Sequence, residues 1–150
     1  MLLVSITIIS CGKKESSENI PGDKKDTTAQ LNKEKPADLK WEFNLVGKGN
    51  HDEPITDVYL VIKDEKIPIE KIEFAFSEFK KSNYNDYHIP ENAIMACRGW
   101  WAGAGIDYWV IMNSGRYEVY SREIGETTNE SGEPGDYQGK PKMIKTIKAE

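Results

Sequence analysis

Several segments after residue 40 alternate apolar and polar side chains with a period of two, the signature of half-buried strands. In KWEFNLVG, Trp41, Phe43 and Leu45 fall on one side. TDVYLVIK is strongly β-forming, and Asp64-Glu65 separates it from KIPIEKIEF, which predicts a hairpin. Pro68 offers no backbone donor, so the returning strand is expected at a sheet edge or cut short. GKGNHDEP reads as a loop from its Gly, Asn and Pro content. FSEFKKSNYNDY lacks a clean period and reads as a loop or an irregular short helix. In HIPENAIMACRGWW, Pro90 suits a first helical position. Ala93, Ile94, Met95 and Ala96 then continue a short helix, which AGAG ends.

The clearest local signal is DYWVIMNSGRYEVYSREI, two β-rich runs around Asn113-Ser114-Gly115. With Ser114-Gly115 as a two-residue loop, Met112 faces Tyr117 and Val110 faces Val119, four apolar side chains on one face. Trp109, Ile111 and Tyr120 then share the other face with Arg116 and Glu118. GETTNESGEPGDYQGK reads as a long polar loop, and PKMIKTIKA as a final strand with apolar residues alternating with Lys. The expected fold class is α+β, mainly β, with a small antiparallel sheet and one short helix.

The chain opens on a different pattern. Leu2 to Ile9 is a short apolar run, too short for the roughly 20 residues that span a bilayer. It has the length of a signal-peptide apolar region and ends at Ser10-Cys11. Ile8-Ile9-Ser10-Cys11 resembles the lipobox of bacterial lipoproteins. Position −3 is Ile8 where that family prefers leucine, and no Lys or Arg precedes the run. The resemblance implies cleavage before Cys11 and a lipid on its sulfur, with the chain anchored to a membrane of the bacterial envelope. By resemblance to enteric lipoproteins, Gly12 instead of Asp after the cysteine does not signal inner-membrane retention, and the outer membrane is the location expected. The competing readings of Cys11 are a buried thiol and a disulfide to Cys97, the second cysteine of the chain.

Residues 12–39 contain no aromatic side chain and few aliphatic ones, so they bury too little apolar surface to offset the entropy of ordering. The organisation expected is a signal peptide over 1–10, a lipidated cysteine and spacer over 11–39, and a β-rich domain over 40–150. The charge follows that division. Residues 12–39 carry six basic and six acidic side chains, and residues 40–150 carry 14 and 19, so the whole net charge of −5 resides in the domain. An acidic domain argues against a nucleic-acid partner and favours cationic ones.

CRGWWAGAGIDYWV gathers three tryptophans and a tyrosine around small residues. Trp100 and Trp101 are adjacent and point to opposite sides of any regular strand, so one is expected at the surface as a contact for a protein or a glycan. The alternative places both around a small core. This stretch resembles that of uncharacterised envelope lipoproteins of Bacteroidetes-type bacteria, from which no activity carries over. SGRY, Ser114 to Tyr117, resembles the Ser-Gly-x-Tyr loop of some bacterial lysozyme inhibitors. That resemblance implies contacts from Ser114 and Tyr117 to the cleft of a lysozyme-like hydrolase. A plain turn is the alternative.

Catalytic signals are scarce. The chain has no GxSxG, HExxH, phosphate-binding loop or dinucleotide fingerprint. Cys97 and His88 form a formal nucleophile and base pair, but Met95 and Ala96 suggest a buried structural thiol. Glu123, Glu126, Glu130, Glu133 and Asp136 fit no EF-hand spacing and read as a solvated acidic loop. The domain is expected to bind and not to catalyse, with no cofactor and no metal.

Overall fold

The computed structural model describes residues 35–128 and 130–149, which form nine strands in two antiparallel sheets. Cys11 and the apolar opening segment lie outside the described residues. The smaller sheet has the order β1 (Leu39–Lys48), β2 (Pro54–Ile62), β3 (Glu65–Ile72). The larger sheet runs β4 (Ala75–Glu78), β5 (Ala93–Trp101), β6 (Ala104–Asn113), β7 (Arg116–Thr128), β8 (Pro134–Gln138). β9 (Lys142–Lys148) also pairs with β7. β7 is 13 residues long, and β8 and β9 lie along different stretches of its outer edge, opposite 124–128 and 116–121.

Three hairpins share one device, a two-residue turn with both residues at positive φ: Lys63-Asp64, Ala102-Gly103 and Ser114-Gly115. Such turns match the twist of the strands they join. The first lies one residue earlier than the Asp64-Glu65 position read from the sequence. The third fixes the register expected for β6 and β7, with Met112 opposite Tyr117 and Val110 opposite Val119.

The short helix expected after Pro90 is absent. Ala93 to Trp101 is strand β5, and the only helical element among the described residues is a 3-10 turn over Lys81–Asn83. The fold class is therefore mainly β. Ala93 to Cys97 is buried on both faces, so it carries a continuous apolar run with no alternation to distinguish strand from helix. The segment read as a polar loop contains β8, whose five residues are all exposed and so show no apolar alternation. β1 starts at Leu39, which is fully buried, one residue before the domain boundary expected from composition.

One face of the large sheet packs on the small sheet. Met95, Cys97, Ile106, Tyr108, Val110, Tyr117 and Val119 meet Leu39, Trp41, Val58 and Leu60. Trp41, Phe43, Phe76 and Tyr108 form a run of rings with centroids 5.2–6.5 Å apart. Gly99 makes room for it, since a Cβ there would stand 2.5 Å from the Phe76 ring. The Tyr108 hydroxyl donates to Glu70 across the sheets.

The opposite face is covered by the segment between β4 and β5. Phe79, Tyr84, Tyr87 and Ile89 pack on Ala93, Ala96, Trp109, Ile111 and Tyr120. Trp109 and Tyr120 stack at 5.8 Å.

The two ends of the sandwich differ. At one, the chain enters at Leu39 opposite Ile62, and Ile62 and Lys63 line a depression with Ile147 and Lys148. Ile147 pairs with Tyr117, which puts the Ser114-Gly115 turn at this end. At the other end, His51 and Glu53 share a depression with Phe74, Trp101 and Ala102.

Candidate functional site

Three charged residues stand in one row across the large sheet, on the face turned away from the small sheet. Arg98 of β5 is directly opposite Asp107 of β6, and Asp107 is directly opposite Arg122 of β7. Asp107 is fully buried, at 0 % exposure. Arg98 grips it with two parallel bonds, Nε to Oδ1 at 2.7 Å and Nη2 to Oδ2 at 3.1 Å. Arg122 Nη2 donates to Oδ2 at 2.6 Å. Two guanidinium groups thus share one carboxylate, leaving one positive charge that aromatic faces help to hold. The Arg98 guanidinium carbon lies 4.6 Å from the Tyr87 ring centre and 5.3 Å from that of Phe79. That of Arg122 lies 5.7 Å from the Trp109 ring centre.

Arg122 also anchors the covering segment. It donates to the backbone carbonyls of Tyr87 at 2.8 Å and His88 at 3.2 Å, and to Gln138 Oε1 at 3.1 Å. With its oxygen turned to Arg122, the Gln138 amide directs its nitrogen to His88 Nδ1, 3.1 Å away. Nδ1 is then an acceptor, and neutral His88 carries its proton on Nε2. Asp107 orients Arg122, Arg122 orients Gln138 and the 87–88 backbone, and Gln138 orients His88.

The next row along the same face is Trp100, Gly105, Ile124 and Gln138. Gly105 lets the indole lie down on β6: a Cβ there would meet Trp100 Cε3 at 2.6 Å and the Gly99 carbonyl oxygen at 2.4 Å. Together the two rows and the covering segment form an open groove of about 170 Å³, lined by Trp100, Arg98, Asp86, Tyr87, His88 and residues 136–138 of β8.

The residues singled out in the sequence are dispersed. Trp101 is 40 % exposed, in the apolar depression with Ile72, Phe74 and Ala104 at the end opposite Leu39. Trp100 is half-buried and lines the groove on the other face, so the two tryptophans serve different surfaces. Ser114 is exposed in its turn, where its hydroxyl donates to Asn113 Oδ1. Tyr117 is 5 % exposed and belongs to the inter-sheet core, so Ser114 and Tyr117 do not form a shared contact surface. Even spacing turns Tyr117 onto the buried face of β7 with Val119.

Cys97 is fully buried between the sheets, while His88 lies beyond the opposite face, so the two are not paired. Burial, with Glu78 and Asp107 adding to it, holds the Cys97 thiol well above its ordinary range. Such a thiol is a poor nucleophile near neutrality. Glu123 and Glu126 are on β7 and Asp136 on β8, and among the described residues no three His, Cys, Asp or Glu side chains are grouped to hold a metal ion.

Sequence reasoning missed the charged row. The hairpin register contains the signal for two of its members: counting back from Asn113 opposite Arg116 brings Asp107 opposite Arg122. Arg98 joins them only once β5 is a strand. No protein-family model matches the chain, and neither a curated protein nor a solved structure does.

Proposed function

We propose that this protein is a lipid-anchored component of the bacterial envelope whose domain binds an envelope protein or glycan and performs no chemistry of its own. Cys11 carries the lipid, and the segment from residue 12 up to the start of β1 at Leu39 spaces the domain from the outer membrane. The observation that carries the reading is Trp101, 40 % exposed in an apolar depression. Large aromatic side chains left open beside other apolar groups mark contact surfaces. This one lies at the end of the sandwich opposite Leu39, where β1 begins. An inhibitor acting on a lysozyme-like hydrolase through the Ser114 turn keeps one exposed contact, and nothing in the arrangement of that turn favours it.

The test uses the full chain immobilised against envelope extract and soluble glycans, beside Trp101→Ala. Capture by the parent that the variant loses supports the reading. Equal capture by both assigns binding to another surface, and capture by neither overturns it. The anchor has its own readout: palmitate label should enter the parent and be absent from Cys11→Ala. Label persisting in that variant overturns lipidation at Cys11.

A further inference from the structure

The groove on the outer face of the large sheet has the chemistry of a sugar site. A pyranose ring presents two kinds of surface. One face is a patch of C–H groups, and the rim is a ring of hydroxyls that each donate and accept. A site for it needs an aromatic plane and planar polar side chains in fixed orientation, few in number, as small-molecule sites generally do.

The aromatic plane is Trp100, seated over Gly105. The fixed polar groups come from the row behind it. His88 is held through Gln138 and Arg122 with Nε2–H left as a donor. Asp86 and Asp136 supply carboxylates, and neither makes a side-chain hydrogen bond or ion pair among the described residues, so both are open acceptors for hydroxyl groups. The donor and the acceptors thus stand around an aromatic floor, and the donor is locked by a buried charge network that costs nothing to reorganise on binding.

The charges decide which sugars enter. The two guanidiniums and Asp107 leave one positive charge, and Asp86 with Asp136 contribute two negative ones, so the groove is net negative. An acidic sugar would be repelled by the two open carboxylates. A neutral or amino-substituted sugar would not be, and its hydroxyls could donate to them. The volume of about 170 Å³ lies below the roughly 300 Å³ at which pockets begin to enclose a drug-sized ligand, so the groove takes one ring of a longer glycan and leaves the rest outside. We infer that the Trp100 groove binds a single neutral or amino-substituted pyranose residue of a glycan. This rests on the binding-module reading and names the ligand class of one of its two aromatic surfaces.

The experiment titrates the full chain with methyl glycosides of glucose, N-acetylglucosamine and glucuronic acid, reading the indole N–H resonances and tryptophan fluorescence. Neutral and N-acetylated glycosides should perturb one indole, and glucuronate should bind about tenfold more weakly or worse. Asp136→Ala and Gln138→Ala, both at exposed positions, should fold and lose binding by at least about tenfold. Leu45→Ala, at an exposed position of β1, should leave it unchanged. Trp100→Ala should abolish it, and the two exposed-site variants decide the matter if that variant fails to fold. Glucuronate binding as well as glucose, or binding kept in both Asp136→Ala and Gln138→Ala, overturns the groove. No glycoside binding, with capture of an envelope protein through Trp101 intact, overturns the sugar site and leaves the module reading standing. Failure of both overturns both.

Discussion

The two faces of the large sheet are built on opposite principles. The inner face is dry: rings and aliphatic side chains fill the space to the small sheet, and Tyr108 with Glu70 is its main polar link. The outer face buries the Asp107 carboxylate and the Arg122 guanidinium, with Arg98 half-buried beside them, under a segment with little regular structure. The dry face is held by burial, which has no preferred direction. The charged face is held by directed bonds, and these fix the orientation of particular groups. A face that only had to be covered would do as well with leucines. The row of Arg98, Asp107 and Arg122 instead fixes where residues 87–88 and 138 stand.

The contrast can be broken by mutation. The largest effect is expected from Asp107→Ala, which leaves two guanidiniums without their shared partner. Removing one member of a buried ion cluster costs about 3–5 kcal/mol, and urea unfolding should show it. Adding Arg122→Met should recover part of that loss, because the uncompensated charge is then gone. Leu60→Ala on the dry face should cost about 3 kcal/mol by the same assay, through lost burial and a cavity. No second truncation should rescue it.

Gly105→Ala tests the seat of Trp100. The added methyl meets the neighbouring backbone at 2.4 Å, so the β5–β6 pairing must shift. A loss of about 2 kcal/mol is expected, and the Trp100 indole resonance should move while that of Trp41 stays. The smallest effect is silent at neutral pH. Burial, with Glu78 adding to it, pushes Tyr84 up to about 12. Its unfolded value is near 10. A raised folded value means that the neutral phenol contributes stability below about pH 10, and that this is lost as pH rises toward 12. Tyr84→Phe should therefore unfold at a higher pH than the parent in an alkaline titration followed by circular dichroism.

How far the sequence could be read follows the same division. The β6–β7 hairpin was legible to the residue, because the Ser-Gly turn sets the register and both strands have one dry face. Pro68 correctly put β3 at an edge. β5 was not legible as a strand, because Ala93 to Cys97 is covered on both sides and has no polar phase. β8 was hidden for the opposite reason, being exposed throughout. The groove combines these two strands with the covering segment, so it could not be read before they were placed. Of the tryptophan pair, the sequence established that they point apart; it did not show that each faces a different depression.

The position of Pro68 has a consequence for association between copies. It sits where the β2–β3 register slips, on the free edge of the small sheet, and offers no N–H to a newcomer. Its carbonyl is also taken, by Lys145 Nζ of β9 at 2.6 Å. The middle of that edge can neither donate to an approaching strand nor accept from it at this residue, and the lysine that blocks it brings a charge to the rim. Open strands are templates for fibrils. The contact between Lys145 and Pro68 disarms the middle of one of them, by occupying the acceptor that an incoming strand would use.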